Sequence, residues 1–300
     1  MQKDHDYRNP QRKGLRKGVY LIPSMFTAAN IGMGFFAVMA SLRGFQLVSG
    51  TDSDFAQAAQ HFDKAAIAIG IAVVCDMLDG RIARMTKTTT EIGIQLDSIA
   101  DVVTFGLAPA VLAYVWGYGA SLTEGTDLHR LGWFLSFMYL MCGAFRLARF
   151  NVQASRPRIL AEGTVKVDKK SFVGLPIPVA GGLIAAIIHF APVPLVVFGP
   201  ERAKIYSGLL MILVGLLSVM MVSTLRFSSF KTVGTSTRSM RTLIIVVAIA
   251  MLIILYSRYV LLAIAVTYIL HGLLSRLVGM FWRRSDALET KVEVSATGRR

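Results

Sequence analysis

Four aspartates stand close together in the stretch from Cys75 to Gly106, CDMLDGRIARMTKTTTEIGIQLDSIADVVTFG. Asp76 and Asp79 come first, Asp97 and Asp101 follow, and long apolar runs flank both pairs. Acids placed inside or beside apolar runs are costly and mark a site. Their spacing gives the site a geometry. At about 100° per residue, Asp76, Asp79, Gly80, Ala83 and Arg84 share one face of a helix, and Gly93, Asp97 and Asp101 share a face of the next. Two helices joined by a short loop can then aim two carboxylates each into one cleft.

Carboxylates gathered so closely repel one another unless a cation neutralises them. Oxygen ligands without His or Cys select Mg²⁺ or Mn²⁺ over zinc. Gly80, Ala83 and Gly93 keep the ligand-facing stripe free of bulk, so that a diphosphate or a base can approach the backbone. Arg84 on the same face can pair with a phosphate oxygen. The chemistry that suits such a site is substitution at phosphorus assisted by two divalent ions. A reading from another class remains at this stage, an ion or lipid transporter, because interior acids also line ion pathways. That reading predicts discontinuous helices near the bilayer midplane.

The elements that must carry these residues are membrane helices. The chain has 300 residues and is 54% hydrophobic, a share that soluble domains also reach, so the arrangement of apolar residues decides. A bilayer span needs roughly 20 predominantly apolar residues. The pattern predicts an all-α polytopic membrane protein of eight spans, at about 19–40, 62–83, 97–117, 131–149, 174–194, 204–224, 241–257 and 259–279. Ser257, Arg258 and Tyr259 form the expected turn between the last two. Residues 1–18 read as a basic cytoplasmic segment, 19–280 as the membrane-embedded catalytic domain and 281–300 as a cytoplasmic tail. The first span is expected to be a retained anchor, since no small-residue cleavage site follows it.

Charge sets the expected orientation. Of 32 Lys and Arg, only Arg43, Lys64, Arg130, Arg202, Lys204 and Arg258 fall outside when the N-terminus is cytoplasmic. Positive charge collects on the cytoplasmic side of membrane proteins, which puts the aspartates at the cytoplasmic face of a cell inner membrane. It also accounts for a pI of about 10.1 through membrane lipids as partners, with no nucleic acid required. Cys75 and Cys142 fall inside spans and imply neither a disulfide framework nor a zinc site. The five histidines are scattered, and none is expected to be catalytic.

The order Asp76, two residues, Asp79-Gly80, two residues, Ala83-Arg84, eight residues, Gly93, three residues, Asp97, three residues, Asp101 resembles the full motif of the CDP-alcohol phosphatidyltransferase family. Pro23, Thr27 and Asn30 resemble its first-helix pattern, with Ser24 a minor departure where many relatives have Asn. MCGAFRLARFNV (Met141 to Val152) and FVGLPIPVAGG (Phe172 to Gly182) are similar to the serine-accepting members. The resemblance implies the CDP-alcohol phosphotransferase fold, CDP-diacylglycerol and L-serine as substrates, CMP as leaving group and a homodimer. It implies Asp76, Asp79 and Asp97 as principal metal ligands, with Asp101 at the edge of the metal site as the base. By the same resemblance Asp79, Gly80, Ala83, Arg84, Gly93, Thr27 and Asn30 hold the CDP-lipid.

The acceptor side is read from charge. A serine carboxylate calls for the planar fork of a fixed Arg, and Arg146, Arg149 and nearby Asn151 are the candidates, although arginines at such a depth also snorkel toward headgroups. Choline would ask for an aromatic cage, for which Tyr139, Phe145 and Phe150 are available. Glycerol phosphate or an inositol compound could use the same basic cluster.

Overall fold

The computed structural model describes residues 11–86, 91–155, 171–223, 226–228, 251–253 and 255–270, with side chains over 25–78, 92–152, 174–223, 251–253 and 255–270. Its contacts divide the chain into one unit of Met1–Arg156 with Pro176–Val222 and a second of Pro157–Leu175 with Ser223–Arg300.

In the first unit α1 (Gln11–Ser49) and α2 (Phe55–Thr86) form a hairpin. Asp54 starts α2 by accepting the Gln57 N–H at 2.9 Å, which satisfies one of the amides that a helix start leaves unpaired. Small residues let the pair approach closely: a Cβ on Gly44 would lie 2.6 Å from Phe62 Cε1.

The next helix runs from Glu91 to Tyr118 and changes pitch three times. It comprises α3 (Glu91–Asp101), a π-helical stretch Val102–Leu107, α4 (Ala108–Ala113) and a second π-helical stretch Tyr114–Tyr118. Asp101, Leu107 and Ala113 keep right-handed helical dihedrals at the junctions, so the axis is continuous. Pro109 gives a reason for the first change. It has no N–H for the carbonyl four residues back, and its ring crowds that carbonyl. The carbonyl is that of Phe105, and it accepts the Tyr139 hydroxyl at 3.1 Å instead.

Tyr139 belongs to α5 (Asp127–Ser155), whose first turn is capped by Thr126 Oγ1 accepting the His129 N–H at 3.3 Å. The helix α6 (Ile177–Phe190) opens on Pro176 and Pro178, which fit a helix start because the first amides have no partner there. Gly199, at φ +83°, turns the chain into α7 (Pro200–Val222). The core between these helices includes Phe62, Ile69, Phe105, Leu112, Tyr118, Tyr139, Ile184, Leu217 and Met221, all fully buried. On α7 the opposite face is apolar as well: Ile205, Leu209, Ile212, Leu216 and Val219 are exposed. A helix apolar all round belongs in a membrane.

At one end of the α2–α6 contact His189 Nδ1 meets Asp63 Oδ1 at 2.6 Å, with the imidazole almost wholly buried. In the second unit β1 (Ser171–Val173) pairs antiparallel with β2 (Arg226–Ser228), Phe172 opposite Phe227, a small exception to the all-α expectation. The same unit contains an apolar helix Leu255–Leu270.

The chain is a multi-pass membrane protein, but the expected eight spans are corrected to about four. Among the described residues the helices long and apolar enough to cross a bilayer are Met25–Ser49, Ile92–Tyr118, Asp127–Val152 and Pro200–Val222. The expected span 62–83 lies in α2, which is long enough but carries Asp63, Lys64, Asp76, Asp79, Arg81 and Arg84. The expected span 174–194 shrinks to the 14 residues of α6, about 21 Å at 1.5 Å per residue and short of the ~30 Å hydrocarbon layer. At the C-terminal end the expected turn at Ser257 to Tyr259 is helical, inside Leu255–Leu270. No Gly or Pro interrupts that stretch, so nothing in the backbone enforces a break there. Residues 241–250, the basic loop 156–170 and both chain ends lie outside the described residues.

Candidate active site

Two helices build the acidic site. Asp76 comes from α2, Asp97 and Asp101 from α3, and a carboxylate oxygen from each lies within 4.8 Å of the other two. All three residues are half-buried, and Asp101 Oδ1 has almost no exposed surface. Three hard oxygen donors converging from two helices, with neither sulfur nor imidazole among them, fit a divalent cation. Asp79, Gly80, Ala83 and Arg84 continue α2 beyond Asp76, but their side chains lie outside the described residues. Gly93 stands one turn before Asp97 on α3 and is half-buried.

The helix α1 backs this site. Thr27 and Asn30 are buried at 5% and 2% exposure, and the Asn30 carbonyl accepts Thr104 Oγ1 at 2.9 Å. Asn30 Oδ1 is itself buried without a hydrogen-bond partner. A buried amide oxygen left so is costly unless a ligand or water completes it, which suits a residue at a binding site. Thr104 sits one turn beyond Asp101 in the π-helical stretch, and Gly34 makes room for it: a Cβ there would lie 2.5 Å from Thr104 Oγ1.

The acceptor-side candidates occupy the last turns of α5. Arg146, Arg149 and Asn151 are all half-buried, and Arg146 Nε has almost no exposed surface. Asn151 Nδ2 donates to Ser98 Oγ at 2.9 Å, which ties α5 to α3 beside Asp97.

The sequence of this site has relatives. A family model described as CDP-alcohol phosphatidyltransferase matches residues 20–206, more than half of the chain and all four aspartates. The chain belongs to that family. CDP-alcohol phosphotransfer is therefore its general chemistry. Similar proteins include a CDP-diacylglycerol–serine O-phosphatidyltransferase of Helicobacter pylori strain J99, 31% identical over 221 residues that cover 72% of this chain and 75% of the relative. A protein of the same name from Mycobacterium leprae is 33% identical over 176 residues, 57% of this chain and 48% of its own. Another from Methanocaldococcus jannaschii is 32% identical over 162 residues, 54% and 62% respectively.

Three residues of this neighbourhood escape sequence reasoning: Gly34, Ser98 and Thr104. A signal exists for Thr104, which lies seven residues after Asp97 and so on the aspartate stripe of a regular helix. Ser98 and Gly34 carry no such signal, because their contacts come from other helices.

Proposed function

We propose that this protein transfers the phosphatidyl group of CDP-diacylglycerol to L-serine, releasing CMP and forming phosphatidylserine. The observation that carries the chemistry is the convergence of Asp76, Asp97 and Asp101 from two helices. In this reading Asp76, Asp79 and Asp97 hold Mg²⁺ or Mn²⁺ with Asp101 beside them. A divalent ion bound there supplies charge neutralisation of the diphosphate. Gly80, Ala83 and Gly93 admit the nucleotide, Arg84 pairs with diphosphate oxygens, and Thr27 and Asn30 bound the lipid-nucleotide side.

Asp101 takes the proton of the serine hydroxyl, and the serine oxygen bonds to the lipid-side phosphorus. The bond from that phosphorus to the oxygen bridging the two phosphates breaks, and the electron pair leaves with CMP. Arg146 and Arg149, with Asn151, hold the serine carboxylate. Support for serine over other alcohols comes from this guanidinium pair, whose forked geometry suits a carboxylate, and from relatives named for serine. Diacylglycerol tails must stay in hydrocarbon while the acceptor arrives from water, so the site opens at headgroup level. The α1–α2 hairpin returns Asp76 to the end at which α1 starts. Lys and Arg gather beside the aspartates (Arg81, Arg84, Lys87), in residues 1–18 and from Arg276 onward, which favours the cytoplasmic face of the inner membrane with both termini on that side.

The test is CMP release by the purified protein in detergent with CDP-diacylglycerol, Mg²⁺ or Mn²⁺, and one acceptor at a time. Release with serine alone is the expected result. Release with choline, glycerol phosphate or inositol instead would reassign the acceptor, and no release with any alcohol would refute the reading.

A further inference from the structure

Ser98 lies in the turn between Asp97 and Asp101, and its own hydroxyl hydrogen is engaged within α3, donating to the Ile94 carbonyl at 3.0 Å. A serine hydroxyl has one hydrogen and two lone pairs. Toward α5 the Ser98 oxygen can therefore only accept, and it accepts Asn151 Nδ2 at 2.9 Å. The chemistry fixes which end of the Asn151 amide faces α3.

This bond joins the helix that bears Arg146 and Arg149 to the helix that bears two of the three clustered carboxylates. In projection Ser98 is about 100° from Asp97 and about 60° from Asp101. A tether at Ser98 thus resists rotation of α3 about its own axis. With Cα atoms at a radius of about 2.3 Å, a carboxylate oxygen lies roughly 6 Å from the axis, so a roll of about 10° moves it by about 1 Å. A displacement of that size is enough to cost about 10²-fold in rate.

We propose that Ser98 is a positioning residue for the Asp97 and Asp101 carboxylates, and that Asn151 holds it in place from α5, coupling the acceptor side of the site to its metal side. The proposal rests on the phosphotransfer reading for its consequence in turnover. It gives Asn151 a positioning task alongside its proposed contact with the acceptor. The hydrogen bond acts as an outer support of metal-holding groups, the kind of contact whose loss typically costs about 10- to 100-fold in metal affinity or activity.

The experiment uses the full chain in detergent with two readouts, Mn²⁺ binding followed by electron paramagnetic resonance and steady-state CMP release. Ser98→Ala is expected to weaken Mn²⁺ binding by about 10-fold and lower kcat by about 10²-fold. Read at saturating Mn²⁺, its kcat falls by more than its KM for CDP-diacylglycerol rises, because the displaced carboxylates act on the reacting groups. Ser98→Thr keeps the hydroxyl and restores both values. Asn151→Asp cannot donate to Ser98 and reproduces the loss of Mn²⁺ affinity from the other side. Because Mn²⁺ binding is measured without acceptor, it separates positioning from any direct contact of Asn151 with serine.

In the cycle with Asn151→Ala, the double variant binds Mn²⁺ no more weakly than Ser98→Ala alone. Unchanged Mn²⁺ affinity in Ser98→Ala, additive losses in the cycle, or a wild-type protein that binds no Mn²⁺ would overturn the proposal. A wild type that binds Mn²⁺ and releases no CMP would sink the functional reading while leaving the positioning test in force.

Discussion

The contact between Gly34 and Thr104 gives a sharp test of how α1 supports the acidic site. A Cβ added at Gly34 would lie 2.5 Å from Thr104 Oγ1 and 2.8 Å from Thr104 Cα. Carbon atoms rest at about 3.5–4.0 Å from one another, so the two backbones must part by roughly 1 Å. A rotamer change cannot relieve a clash with Cα. Overpacking of this kind costs about 1–3 kcal/mol, and loss of the buried bond from Thr104 Oγ1 to the Asn30 carbonyl adds about 0.5–1.5 kcal/mol. Against this, Ala gains about 1 kcal/mol over Gly in a helix. The net expectation for Gly34→Ala is a loss of about 0.5–3.5 kcal/mol in stability.

Thr104 is one helical turn from Asp101, so the same displacement reaches the carboxylate, and CMP release is expected to fall by about 10²-fold. Gly32 is the control. It is two residues away on the same helix and a Cβ there would meet nothing within 4 Å, so Gly32→Ala should be neutral or stabilising by up to about 1 kcal/mol. Thermal unfolding in detergent and CMP release, measured side by side, check both variants. Wild-type stability and rate in Gly34→Ala, or equal losses in the two variants, would show that the close approach of α1 to Thr104 does not support the site.

Asp101→Asn should abolish turnover while nucleotide binding, followed by calorimetry with CDP, stays within a few fold; a wild-type rate would remove Asp101 as the base. Chelation with EDTA should stop CMP release, with Mg²⁺ or Mn²⁺ restoring it and Zn²⁺ failing to, since the donors are all carboxylates; activity that survives chelation would contradict the metal assignment. His189→Ala removes the 2.6 Å contact with Asp63 and should lower stability by about 1.5–3 kcal/mol, the range for hydrogen bonds to charged groups. Unfolding in detergent would read that loss, and the KM for serine should not change.

The clustering of Asp76, Asp97 and Asp101 was legible because its information is local. Fixed spacings of three and four place Asp97 and Asp101 on one helix face, and no knowledge of other helices is needed to see it. The joining of Asp76 to that pair required only that α2 and α3 follow one another closely in sequence. The number of spans was less legible, because apolar content does not reveal where a helix stops. Pro176 and Pro178 at one end of α6, and Ala191-Pro192 after the other, limit it to a length that apolar content alone overstates. The polar load of α2 counts against it as a lipid-facing span for the same reason that it makes a site. The π-helical stretch after Asp101 was not legible at all: Pro109 is visible in sequence, but the hydroxyl that answers it comes from Tyr139 on another helix.

That pairing bears on how the protein is made. Ribosomes deliver the 91–118 helix before α5, and inside a bilayer a backbone carbonyl has no water to turn to. Pro109 withholds one bond from the Phe105 carbonyl, and Tyr139 supplies one when it docks. Asp101 lies one turn upstream of that carbonyl, so the active site takes its final form only after a later-born helix has inserted, and a chain halted before α5 should be unable to turn over lipid in the membrane that received it.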